Sequence, residues 1–170
     1  MPRNLELKAR ISSVPDAVNV ARRIGAKAKS ILHQHDIYYK IPCGRLKLRI
    51  INNRSAELIF YNRPNKKGSR SSNYFILPVS NLKLTNEFYT AVFGQKIVVE
   101  KNRRLFLYKN SRIHIDEVRG LGSFIEFEVL VKYGDMQARK LFKLLCKEFE
   151  IKRTDTIASS YSDMLLHKKS

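Results

Sequence analysis

The sequence predicts an α+β fold, a closed eight-stranded antiparallel β-barrel with helices packed outside and charge within. Three observations lead there. Four segments alternate between charged and aliphatic residues with the period of two that marks a half-buried strand. Five further segments are rich in β-branched and aromatic residues and are parted by turn signals. Several amphipathic stretches are available to cover aliphatic faces. The chain has 170 residues, which fits one domain over 1–170, because a chain of this size buries about 70% of its unfolded surface.

Residues 4–11 open with polar side chains at 4, 6, 8 and 10 and apolar ones between them. A helix follows over 15–24, with Pro15 in its first turn, Asp16 at the positive end of the dipole and Gly25 as the stop. Strands are expected over 37–41, 45–50 and 56–63, separated by Pro42-Cys43-Gly44 and Asn52-Asn53. In the second of these Arg45, Lys47 and Arg49 share one face, and Leu46, Leu48 and Ile50 share the other. Beyond the loop Arg63-Pro64-Asn65-Lys66-Lys67-Gly68 come a strand over 74–79 and a helix over 81–93 that runs to Gly94. Strands over 97–101, 105–108, 112–116 and 124–129 complete the set, with Gly120-Leu121-Gly122 as a turn. Arg112, His114 and Asp116 alternate with Ile113 and Ile115, while Glu126 and Glu128 fall on one face. Residues 135–149 place Met136, Leu141, Leu144, Leu145 and Phe149 at helical spacing, and a last helix is expected over 156–167.

Lys and Arg number 33 against 15 Asp and Glu, a formal net charge of +18. Such a chain attracts polyanions: nucleic acid, nucleotides, polyphosphate or an acidic membrane surface. Apolar residues at 44%, with only seven glycines and five prolines, exclude collagen-like, low-complexity and wholly disordered classes. No run approaches the roughly 18 apolar residues of a spanning helix, and Met1-Pro2-Arg3-Asn4 leads into a charged segment with no apolar leader, so neither membrane insertion nor secretion is expected. Cys43 and Cys146 lack metal spacing and fit a reducing compartment, cytoplasmic or nuclear.

A half-buried sheet ordinarily turns its charged face to water. Here acids and bases recur on the same kind of face, Glu6, Asp116, Glu126 and Glu128 beside Lys8, Arg10, Lys47, Arg49 and Arg112, while helices are at hand for the aliphatic faces. The polar faces are therefore expected to point inward. Such a lumen costs several kcal/mol per isolated charge unless something neutralises it. A polyanion with a divalent cation would do so.

Carboxylates two apart on a strand converge, so Glu126 and Glu128 supply oxygen ligands of the kind Mg²⁺ or Mn²⁺ prefers, with Glu6 and Asp116 completing an acidic wall. The cations opposite would hold phosphoryl oxygens, guanidinium groups as forks and ammonium groups as point charges. Phosphoryl transfer needs mainly positioning and charge stabilisation. No Walker loop, Rossmann fingerprint or Ser/His/Asp arrangement competes.

Asn4-Leu5-Glu6-Leu7-Lys8 resembles the ExExK signature of the CYTH, or triphosphate tunnel metalloenzyme, family, which includes class IV adenylyl cyclases and thiamine triphosphatases. The resemblance continues through Leu46-Lys47-Leu48-Arg49, Glu100-Lys101-Asn102-Arg103, Arg112-Ile113-His114-Ile115-Asp116, the stretch from Gly120 to Glu128, and Ser160-Tyr161-Ser162-Asp163. The Gly-Leu-Gly segment is more similar to the adenylyl-cyclase branch. The resemblance implies a closed barrel with a triphosphate-binding tunnel, phosphate contacts from Lys8, Lys47, Arg49, Arg103 and either Arg63 or Lys101, and metal service by Glu6, Asp116, Glu126 and Glu128. Among these Glu6, Lys8, Asp116, Glu126 and Glu128 are the candidate catalytic group. One departure matters: Asn4 stands where the signature begins with Glu, and Asn offers a neutral oxygen but no charge and no base.

Two reactions share such a site. Water attacking the terminal phosphorus gives orthophosphate; a ribose 3′-hydroxyl attacking the α-phosphorus gives a cyclic nucleotide and pyrophosphate. The expected substrate is a nucleoside triphosphate or tripolyphosphate. The alternative is a module that holds RNA or another polyanion in the same basic tunnel without cleaving it; on either reading a monomer or a homodimer is expected. Tyr38, Tyr39, Phe75 and Tyr161 are candidates to stack on a base, though aromatics in strands more often fill cores. Arg70 is the candidate to close over phosphate from the loop at 66–72. His114, in phase with Arg112 and Asp116, reads as a histidine satisfied within the wall or, less commonly, as a proton carrier. The inferred lumen set of Lys8, Arg10, Arg45, Lys47, Arg49, Arg63, Lys101, Arg103 and Arg112 with its four acids nets +5, which leaves +13 of the +18 elsewhere.

Overall fold

A computed structural model describes residues 4–62, 73–132 and 134–169. Eight strands form one antiparallel sheet: β1 (Asn4–Arg10), β2 (Lys27–Tyr39), β3 (Arg45–Ile51), β4 (Ser55–Asn62), β5 (Asn73–Val79), β6 (Gln95–Tyr108), β7 (Ser111–Val118) and β8 (Gly122–Leu130). Four helices accompany them: α1 (Val14–Arg23), α2 (Leu82–Phe93), α3 (Asp135–Glu148) and α4 (Tyr161–Lys169). The spatial order is β1-β8-β7-β6-β2-β3-β4-β5. The α+β class and the eight antiparallel strands expected from the sequence are present, and the sheet curls around a charged interior. Its ends are not joined: among the described residues no ladder links β1 to β5.

Helices α1 and α2 start where the sequence supplies a side-chain cap. Ser13 Oγ accepts from the Asp16 N–H at the head of α1, and Asn81 Oδ1 accepts from the Leu84 N–H at the head of α2. Helix α2 ends at Gly94, whose φ of 71° suits the residue that lacks a Cβ. The last helix begins later than the expected residue 156, because the chain first crosses β1 in extended form: Thr156 bridges Ala9 and the Ile157 N–H donates to the Lys8 carbonyl.

Three apolar clusters hold the sheet. Helices α1 and α3 cover the outer faces of β1, β7 and β8, where Leu5, Ala9, Ile113, Ile115, Ile125, Phe127 and Leu145 are buried. Helix α2 sets Tyr89 and Phe93 against Ile37, Tyr39, Leu46, Leu48 and Leu58 on the outside of β2, β3 and β4. The third cluster lies on inner faces: Tyr38, Ile97, Val99, Val118 and Phe124 pack against Tyr161, Met164 and Leu165 of α4. Helix α4 thus closes one end of the tunnel. The opposite edge is thinner, and Phe75 and Leu77 of β5 remain 68% and 59% exposed.

Two strands are longer than their patterns predict. Strand β2 begins ten residues ahead of the expected residue 37 and carries polar side chains on both faces from Lys27 to Asp36. Strand β6 is continuous where the sequence suggests a break at 102–104, because Lys101 and Arg103 turn inward while Asn102 and Arg104 turn out. Polar residues on both faces erase the alternation that marks a strand.

Candidate active site

The inner faces of all eight strands enclose a cavity of about 400 Å³. Six cations line it, Lys8, Lys47, Arg49, Lys101, Arg103 and Arg112, together with the carboxylates of Glu6, Asp36, Glu126 and Glu128. Period-two geometry puts them there: along each strand alternate residues face one side. The antiparallel register then sets acid against base, Lys8 opposite Glu126 and Arg112 opposite Glu128.

One arrangement occurs twice. On β3 and β2, Asp36 is 2% exposed and accepts from Lys47 Nζ at 2.6 Å and from Arg49 Nε and Nη2 at 2.7 Å each. On β6 and β7, Asp116 is fully buried and accepts from Lys101 Nζ at 3.0 Å and from Arg103 Nε and Nη2 at 2.7 and 2.6 Å. In both, Asp and Arg are direct cross-strand partners and the Lys lies two residues before the Arg. Since β6 pairs with β2, the two clamps are neighbours and form one belt across four strands. A forked guanidinium bond fixes each arginine in a plane before any ligand arrives.

The belt perturbs its own titrations. Burial pushes the Asp36 and Asp116 carboxyls up, but Lys47 and Arg49 around the first, and Arg103 and Lys101 around the second, overcome it and hold both well below the usual carboxylate range. Burial and the adjacent Arg49 push Lys47 down to about 7. Burial and Arg103 push Lys101 down to about 8. Two amines near neutrality inside an anion-sized cavity are poised to take up protons when an anion enters.

Glu126 joins the clamps to the acidic end. Its Oε2 accepts from Arg103 Nη2 at 2.6 Å, and Lys8 Nζ stands 3.3 Å from its Oε1. Lys8 also donates to the Ser159 carbonyl at 3.2 Å and lies 4.0 Å from the centre of the Tyr161 ring. Lys8 and Arg103 hold the Glu126 carboxyl well below its usual range against the push of burial. Glu128 contacts Arg112 at 3.5 Å and faces Glu6 directly across the β1–β8 ladder. His114, 6% exposed, places Nδ1 at 3.6 Å from Glu128 Oε1, and burial together with Arg103 lowers its pKa.

Of the residues singled out from sequence, Glu6, Lys8, Lys47, Arg49, Lys101, Arg103, Arg112, Glu126 and Glu128 all line the cavity, as does His114. Asp116 stands behind the wall, with both oxygens taken by Lys101, Arg103 and the Tyr161 hydroxyl at 3.0 Å. Arg10 lies at the rim, donating to the Leu121 carbonyl at 2.8 Å and packing over the Phe124 ring. Arg45 pairs with Asp163 of α4 at 2.8 Å. Arg63 and Arg70 lie outside the described residues. Asp36 went unseen in the sequence because its strand was expected to start one residue later; the in-phase set Gln34, Asp36, Tyr38 was the available signal.

The candidate base-stacking aromatics are engaged elsewhere. Tyr39 packs outside against Tyr89, and Phe75 against Phe60. Inside, Tyr38 bonds Tyr61 and sits under Lys47, while Tyr161 bonds Asp116 and sits under Lys8.

The donor set suits a hard divalent ion. Glu6, Glu126 and Glu128 offer oxygen ligands, and the buried Nδ1 of His114 has no partner among the described residues. Among those residues no three His, Cys, Asp or Glu side chains already stand at metal-holding geometry.

Comparison with known proteins agrees with this geometry. The family model for the CYTH domain matches residues 2–161. The chain belongs to the CYTH family. The PH1819 protein of Pyrococcus horikoshii resembles this CYTH chain at a TM-score of 0.78 and 25% identity, over 97% of this chain and 99% of that one. PH1012 of the same organism gives a TM-score of 0.82 at 21% identity, over 94% and 98%. HpAC1 from Hippeastrum, a proposed adenylyl cyclase that reveals a dominant triphosphatase activity, gives 0.66 at 12% identity, over 98% and 95%. A search of curated protein sequences found no match. Among the described residues of this CYTH protein, no helix is long and apolar enough to cross a membrane.

Proposed function

We propose that this CYTH protein binds a triphosphate in its tunnel and hydrolyses it at the terminal phosphoanhydride. The observation that carries the reading is the double clamp: buried Lys47, Lys101 and Arg103 and half-buried Arg49, held in fixed orientations by Asp36 and Asp116, with Lys8 and Arg112 beside them. A triphosphate carries about four negative charges, and these six cations exceed the four lining carboxylates by two before any metal binds. Preorganised donors of this kind stabilise charge without reorganising during the reaction.

The roles follow position. Lys47, Arg49, Lys101 and Arg103 hold the phosphoryl chain. Lys8 and Arg112 reach it from β1 and β7. Glu126 and Glu128, with Glu6 opposite, face the reacting end, where a carboxylate orients water and accepts its proton. Asp36 and Asp116 act as positioning residues, keeping the forks aligned. Mg²⁺ or Mn²⁺ held on the Glu6 and Glu128 side of the tunnel would neutralise phosphoryl charge and polarise the bond that breaks. Hydrolysis is favoured over cyclisation because, among the described residues, Tyr38 and Tyr161 already have lysines over their rings, and no other of the four candidate aromatics faces the cavity.

The test incubates the protein with ATP, GTP, thiamine triphosphate and tripolyphosphate, each with Mg²⁺ or Mn²⁺, and resolves orthophosphate from pyrophosphate and cyclic nucleotide. Orthophosphate is the expected product, lost in Glu126→Gln. Cyclic nucleotide as the main product would replace the hydrolase reading by the cyclase one, and no turnover of any substrate would remove catalysis. A second reading, RNA or polyanion binding, draws on the exposed Arg139, Lys140, Lys143 and Lys147 of α3, outside the tunnel. It requires affinity that falls steeply with salt.

A further inference from the structure

His114 is a tunnel side chain that none of the roles above uses. It is 6% exposed, it projects inward from β7 between Arg112 and Asp116, and its Nδ1 has no hydrogen-bond partner among the described residues. A buried polar nitrogen left without a partner is costly and calls for an explanation. Two carboxylate oxygens stand near it, Glu128 Oε1 at 3.6 Å and Glu126 Oε2 at 3.9 Å. Both are too far for hydrogen bonds.

Those separations have another meaning. Two ligands that share an ion at about 2.1–2.2 Å, at angles of about 90–120°, lie roughly 3.0–3.8 Å from one another. The Nδ1 to Glu128 distance of 3.6 Å falls inside that window. Glu126 is the poorer partner, because Arg103 and Lys8 already occupy its two oxygens. Among the described residues Glu128 has only the long 3.5 Å contact with Arg112 at its other oxygen, and Glu6 faces it across the ladder. Asn4, whose Oδ1 is also buried without a partner among the described residues, stands one inward position beyond Glu6 on β1, on the side away from His114.

We infer that His114 is a nitrogen ligand of the divalent ion in the tunnel, pairing through Nδ1 with Glu128 Oε1, with Glu6 as the third protein ligand. Water and phosphoryl oxygens fill the remaining positions. The inference deepens the reading of the tunnel as a triphosphate site and rests on it for the choice of ion class. Its consequence is selectivity. Imidazole favours transition ions over Mg²⁺, so this mixed nitrogen and oxygen set prefers Mn²⁺, and Co²⁺ more strongly still, where an all-carboxylate set would discriminate less.

The test needs no turnover. Mn²⁺ is added to the full chain without triphosphate and examined by pulsed electron paramagnetic resonance for ¹⁴N modulation from a coordinated imidazole, while Mn²⁺ and Mg²⁺ affinities are measured by competition. Wild-type protein is expected to show the nitrogen coupling. His114→Gln should lose it and bind Mn²⁺ about tenfold or more weakly, with Mg²⁺ affinity changed by less than about threefold. Mn²⁺ bound with no nitrogen coupling in the wild type, coupling that persists in His114→Gln, or no Mn²⁺ binding at millimolar concentration would each overturn the assignment. The wild-type spectrum stands even if the variant fails to fold. Nitrogen coupling without turnover or binding of tripolyphosphate would sink the triphosphate reading and leave His114 as a ligand; turnover without coupling would do the reverse.

Discussion

Asp116 and Arg103 stand directly opposite one another across the β6–β7 ladder and are joined by two bonds of 2.7 and 2.6 Å, one to each carboxylate oxygen. Asp36 and Arg49 repeat this relationship across β2 and β3. In each clamp a carboxylate spends its charge on holding cations still.

Removing Asp116 strands two buried cations. Asp116→Asn is expected to lower stability by about 3–5 kcal/mol, the range for breaking a buried ion pair by deleting one partner. Urea denaturation at neutral pH measures it. A loss below about 1 kcal/mol would mean that water reaches Lys101 and Arg103 freely.

Acid should spare the clamps longer than ordinary carboxylates. Both Asp36 and Asp116 have folded pKa values below the unfolded one, so their stabilisation is present above pH about 4 and is lost only as pH falls through the lower folded values. Carbon-detected NMR of the two carboxyls is expected to show no titration between pH 3 and pH 6, in conditions where exposed carboxyls titrate near pH 4.

For the amines, folding favours the neutral form instead of the charged one. An unfolded lysine stays protonated to about 10.4, whereas folded Lys47 and Lys101 release protons near 7 and 8. Between those limits the unfolded chain binds more protons, and stability rises with pH. A bound anion restores the protons, so tripolyphosphate affinity should fall as pH rises from 7 to 9. Calorimetry in buffers of different ionisation enthalpy should report proton uptake at pH 8.5, and Lys47→Gln should reduce it.

Arg112 separates binding from folding. Its side chain is 53% exposed, in contrast with 11% for Arg103. Arg112→Ala is expected to weaken tripolyphosphate binding about tenfold while changing stability by less than about 0.5 kcal/mol. Arg103→Ala, which bares both Asp116 and Glu126, should lose binding and destabilise the fold together.

Tyr161→Phe keeps the ring under Lys8 and removes the hydroxyl from Asp116. Its stability should fall by about 1 kcal/mol, read as a shift in the denaturation midpoint. Tyr161→Ala should cost several times more, since the ring also packs on Phe124 at the closed end of the tunnel.

The sequence made the strands with charged and aliphatic faces legible, β1, β3, β7 and β8, and with them most of the cavity lining. Strand β2 was hidden because Lys27 to Asp36 is polar on both faces and is bulged between Ala28 and Ser30. Asp36 was lost with it. Arg10 has the same phase as Lys8 and looks equivalent in one dimension, yet it sits at the end of β1, where the wall stops. Asp116 was visible as an inward carboxylate, but its saturation by Lys101, Arg103 and Tyr161 depends on β6 and α4, segments distant in the chain. Which acids face the cavity and which brace the cations is a property of packing.

Helix α4 lays an apolar floor of Tyr161, Met164 and Leu165 across one end of the charged interior, against Val99, Val118 and Phe124. A phosphate chain that ran past the belt in that direction would exchange cations for hydrocarbon within that cluster, so the belt suits a chain that stops there better than one that continues.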